Sequence, residues 1–143
     1  MALPQSIEDR IEQCRIALPP ISELRKLVKE CGHPNNVSYQ LPLISAALRH
    51  LLNGREPHRQ QVRVVRRLVY QLGDTLLAAK TGFGKSITLH AYSVLTGYIT
   101  LQIIPLSKLG GEQLDTIQRY DGASPCLVTA ETKHVISKHI PYH

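Results

Sequence analysis

Apolar residues recur at helical spacing in the first third of the chain. Ile7, Ile11 and Cys14 lie on one helical face, and Ser6 with Asp9 frames a cap for its start. Pro19-Pro20 interrupts the pattern. Ile21, Leu24, Leu27 and Val28 make a second stripe, closed by Cys31-Gly32 and then Pro34. PNNVSYQ reads as a loop. Leu43, Ala46, Ala47 and Leu51 predict a third helix, stopped by Asn53-Gly54. After Arg55-Glu56-Pro57 the texture changes. HRQQVRVVRRLVYQLG reads as one basic amphipathic helix, with Val62, Val65, Val69 and Leu72 on one side, Arg59, Arg63 and Arg67 on another, and Gly73 as its stop. TLLAA, YITLQIIP and SPCLVTA are short apolar runs without polar alternation, as expected of strands buried on both faces. KSITLHAYSVLTG and SKLGGEQLDTIQRY between them read as helices. ETKHVISKHIPYH fits neither period.

The order from residue 75 is strand, loop, helix, strand, helix, strand. It predicts an α/β domain with a parallel sheet and right-handed crossovers. The expected organisation is a helical N-terminal region over residues 1–54 followed by an α/β domain over residues 55–143.

Composition narrows the function classes. The 143 residues carry 43% hydrophobic and 20% charged positions, ordinary for a globular chain of one core. Aromatics reach only 5% with no Trp, which argues against a base-stacking platform. A net charge of +6 favours an anionic partner, nucleic acid or phosphate. Cys14, Cys31 and Cys126 are odd in number and far apart, which suits a reducing, intracellular compartment and excludes a disulfide framework. Cys31 and His33 have no second ligand pair nearby, and His134 and His139 do not share a helical face, so a protein-held metal site is not expected. No apolar run is long enough to span a bilayer, and the N-terminus does not read as a secretory signal.

The chemistry concentrates in AAKTGFGKS. A phosphate-binding loop needs inward-pointing backbone N–H groups at a helix start and a cation for the distal phosphates. Gly82 and Gly84 allow a tight wrap. Lys85 supplies the cation, and Ser86 places a hydroxyl on magnesium. The expected ATP-binding set is Ala79, Lys80, Thr81, Gly82, Phe83, Gly84, Lys85 and Ser86, between an apolar run and a helix.

These residues resemble motif I of superfamily 2 helicases of the DEAD/DEAH-box type, whose form is A-x-TG-x-GKS. Upstream, Gln61 is similar in position to the glutamine of the Q motif. Downstream, IIPLSKLGGEQL resembles motif Ia of RecQ-like helicases, with Pro105, Leu106, Leu109 and Gln113 in register and Glu112 in place of the usual Asp. The resemblance covers about half the chain, residues 58 to 130. It implies the N-terminal part of the first RecA-like lobe of an ATP-dependent 3'-5' DNA helicase, and of the two compartments open to the chain, nucleus and cytoplasm, it favours the nucleus. It also implies ATP and Mg2+ as cofactors and a DNA backbone as partner. By it Lys85 holds the β- and γ-phosphates as the catalytic lysine, Ser86 ligates magnesium, and Gln61 contacts adenine. Pro105, Leu106, Ser107 and Lys108 touch the nucleic acid strand.

The chain departs from that family in two places. Pro57 and His58 stand where the family has an aromatic residue and an arginine. No Asp-Glu pair follows Ser86, so the acidic motif that positions magnesium and water is missing, as are the arginine fingers of a second lobe. Phosphoryl transfer is mostly positioning and charge stabilisation. A truncated lobe of this kind is expected to bind nucleotide weakly, hydrolyse it very slowly and unwind nothing alone. Two other readings stay open. One is a different P-loop NTPase. The other is a non-enzymatic interaction protein in which the loop is vestigial.

Overall fold

The computed structural model describes residues 5–33, 35–78, 84–103, 107–119 and 123–128, and among these the regular structure is six helices. They are α1 (Ile7–Ile16), α2 (Ile21–Glu30), α3 (Val37–Leu51), α4 (Arg59–Val69), α5 (Lys85–Thr96) and α6 (Ser107–Ile117). The chain divides into two units, Met1–Ile99, which holds α1 to α5, and Thr100–His143, which holds α6.

Local chemistry sets the helix ends. The Ser6 hydroxyl accepts from the Asp9 amide at 3.2 Å, and Glu8 and Asp9 complement the positive end of α1. α3 begins at Val37, inside the stretch expected as a loop, and carries Pro42 within it. The proline forfeits one helical bond, to Ser38. Gln40 compensates, because burying its side chain in a satisfied polar cluster requires the early turn. α3 and α4 close with the same device. The Gly54 amide donates to Arg49 and the Asn53 amide to His50, with Asn53 left-handed at φ 56. Likewise the Leu72 amide donates to Arg67 and the Gln71 amide to Leu68, with Gln71 at φ 53. Both are Schellman closures. The basic helix therefore stops at Val69 and turns on Gln71, four residues before the glycine expected to end it, and Leu72 lies 40% exposed off its apolar face.

Within the first unit α3 packs against α1, α4 and α5, and α5 also meets α2 and α4. Leu43, Ile44 and Leu48 of α3, Val65 of α4, and Ala91 and Leu95 of α5 are fully buried at the centre. Each large apolar side chain there contributes roughly 1.5–3 kcal/mol of burial. Polar bonds cross the same interfaces. Arg25 Nε donates to the Val94 carbonyl at 2.9 Å, Tyr70 Oη to Val28 at 3.0 Å, and His50 Nε2 to Cys14 at 3.2 Å.

The expected α/β architecture is not what the chain adopts. Among the described residues there is no strand and no sheet, so the RecA-like P-loop lobe with a parallel sheet is overturned. The described parts of the three apolar runs, residues 75–78, 98–103 and 124–128, carry no ladder. Instead they present apolar side chains to solvent: Leu76 is 95%, Ile99 94% and Ile103 87% exposed. Apolar, β-branched composition favours a strand locally, but a parallel ladder needs a neighbour about 4.8 Å away supplied by a distant part of the chain. None of these runs meets one among the described residues. ETKHVISKHIPYH lies outside the described residues.

Candidate functional site

α4 and α5 are brought together at their N-termini. α4 starts after His58, and Gln61 sits in its first turn. The Gln61 side chain is 2% exposed. Its Oε1 accepts from the His58 amide at 2.7 Å, which caps α4. Its Nε2 donates to the Gly84 carbonyl at 3.2 Å, and Gly84 is the residue that opens α5. One side-chain amide thus ties two helix starts together across a sequence separation of 23 residues.

Gly84 is required there for two reasons. Its φ of 86° is left-handed, and a Cβ on it would lie 2.6 Å from Gln61 Nε2. Past Gly84, Lys85 occupies the first helical position and is exposed, and Ser86 is half-buried beside it. Thr88, itself buried, donates its hydroxyl to the Lys85 carbonyl at 2.6 Å and fixes this turn. Neither α4 nor α5 has an acidic residue in its first turn. Two positive helix ends and the Lys85 ammonium therefore act with no carboxylate on either first turn to offset them, a field that attracts an anion.

Of the residues expected at the nucleotide, Gln61, Gly84, Lys85 and Ser86 come together at this point. Ala79, Lys80, Thr81, Gly82 and Phe83 lie outside the described residues. Gln61 is not a solvated helix residue, since both ends of its amide are engaged with backbone. Pro105 and Leu106 also lie outside the described residues, while Ser107 and Lys108 open α6 in the second unit.

Sequence reasoning named Gln61 without its bond to Gly84, which no local pattern encodes. It missed Gln40 altogether. That side chain is 1% exposed, accepts from Arg66 Nε at 2.9 Å and donates to the Cys31 and His33 carbonyls at 2.7 and 3.1 Å. The available signal was its helical spacing from Leu43, Ile44 and Ala47.

Among the described residues no group of three or more His, Cys, Asp and Glu could hold a metal ion, and no helix is long and apolar enough to cross a membrane. Comparison of the chain with models of known protein families, with curated proteins and with solved structures yields no match.

Proposed function

We propose that the chain binds ATP with Mg2+ at the start of α5 and contacts a nucleic acid backbone, as part of an ATP-dependent DNA helicase of RecQ-like kind working in the nucleus. The observation that carries the nucleotide half is the bond from Gln61 to Gly84. By the resemblance the two residues belong to separate motifs of one nucleotide site, and they are in contact. Gly84 opens α5 with a left-handed φ of 86°, a conformation that glycine adopts freely and that suits a backbone wrapped closely around a phosphate.

In this reading Lys85 supplies positive charge to the distal phosphates and the Ser86 hydroxyl is the protein's ligand to magnesium. The metal, when bound with the nucleotide, offsets charge between the β- and γ-phosphates. Gln61 fixes the relative position of the two helix ends. Hydrolysis and strand separation need a further acidic group and a transition-state arginine, and no role is assigned to this chain in supplying either.

The test is titration of the whole chain with a fluorescent ATP analogue and magnesium, with Lys85→Ala alongside. The expected result is saturable binding that the substitution abolishes, with a matching rise in melting temperature for the original chain alone. Equal binding by both proteins, or none by either, overturns the reading.

A further inference from the structure

α4 carries four arginines and no carboxylate in eleven residues. Two of the four are occupied. Arg66 bonds the buried Gln40, and Arg67 closes the following turn by donating to Thr75 Oγ1 at 3.2 Å and to the Leu72 carbonyl at 3.3 Å. Arg59 and Arg63 are different. Both are exposed, they are one helical turn apart on the same face, and neither has a carboxylate or hydrogen-bond partner among the described residues. Glu56, which precedes α4, is held by Arg49 instead.

We propose that Arg59 and Arg63 form a contact surface for the phosphate backbone of single-stranded nucleic acid. This rests on the nucleic-acid half of the reading above and adds two residues to those that the resemblance assigns to the strand. Four residues of helix advance about 6 Å, so the two exposed guanidinium groups concentrate positive charge within about one turn, complementary to a phosphodiester backbone. Guanidinium groups suit this role through their planar, forked donors. The valines of α4 (Val62, Val64, Val65 and Val69) are buried in the core, so the helix has no apolar face to lay into a membrane. No exposed aromatic lies on α4 to stack a base. The contact is therefore with backbone and independent of sequence.

The experiment is fluorescence anisotropy of the full chain with a short labelled DNA strand of mixed sequence, across a salt series and without nucleotide. Lys85 stays intact throughout, so failure of the ATP reading does not alter the result. Arg59→Gln/Arg63→Gln is compared with Arg15→Gln/Lys26→Gln, which removes the same charge from α1 and α2. The α4 pair is expected to lower the slope of log affinity against log salt by about 1.4, at ~0.7 per lost contact, and the other pair to leave it in place. Arg59→Lys/Arg63→Lys should retain the slope, which separates lost charge from damaged folding. Equal losses from the two Gln pairs overturn the surface while nucleic-acid binding stands. The absence of any salt-dependent binding by the original chain overturns both.

Discussion

Gln61 Nε2 lies 3.2 Å from the carbonyl oxygen of Gly84, within reach of any side chain that Gly84 acquired. Gly84→Ala forces a left-handed non-glycine residue, costing roughly 1–2 kcal/mol, and pushes a methyl group against the Gln61 amide. Gln61→Ala leaves the His58 amide and the Gly84 carbonyl without this partner and costs roughly 1–3 kcal/mol. Part of the first penalty is the clash with the group that the second removes. The double variant is therefore expected to lose less stability than the sum of the singles, read from urea unfolding. Strict additivity would mean that the contact is not made.

A second buried amide holds α4 to the turn between α2 and α3. Gln40 serves Arg66, Cys31 and His33 at once, so Gln40→Leu keeps most of the volume and strands three polar groups. We expect a loss of at least about 2 kcal/mol, seen as a lower urea midpoint with an unchanged slope. Arg66→Lys removes the Nε–H donor while keeping the charge and should reproduce part of that loss. Introduced into the Gln40→Leu background, Arg66→Lys should add little, because its partner is already gone.

The helices were legible because each repeats a local rule. The spacing of Leu24, Leu27 and Val28 is the apolar face of α2, and Ser6 caps α1 as its chemistry requires. The errors fall where a distant partner decides. Val37 joins α3 because Gln40 has buried bonds to make, and α4 stops early because Gln71 accepts a left-handed turn. The strands failed for the same reason. Leu76, Ile99 and Ile103 have the composition of a sheet interior, but a ladder is a relationship between segments that no segment contains. At the candidate site the need for glycine at residue 84 was legible, and the bond that makes it acute was not.

Cysteine reactivity gives an independent check on the first unit. Cys14 and Cys31 are buried, and burial pushes both thiols above their ordinary range, while Cys126 is exposed. Only the thiolate attacks an alkylating or disulfide reagent. The native chain is expected to release one fast equivalent with such a reagent, and all three of its cysteines should react in denaturant. Fast reaction of two or three thiols in the native chain would show that α1 and α2 do not pack as described.

Tyr70 offers a test by pH. Its hydroxyl donates to the Val28 carbonyl at 3.0 Å, and burial holds its phenol well above the usual range, with Cys31 adding to the effect. A raised value in the folded state means that the proton stays on when folded and leaves when unfolded. The resulting stabilisation is complete below the unfolded value of about 10 and is lost as pH rises towards the folded one. At neutral pH, Tyr70→Phe should cost about 1 kcal/mol for the lost bond and the stranded carbonyl. Above about pH 10 the original chain loses stability through this group, whereas the phenylalanine variant cannot. The two melting temperatures should therefore converge as pH rises from neutral into that range. A difference that stays constant with pH would mean that the Tyr70 hydroxyl reaches solvent.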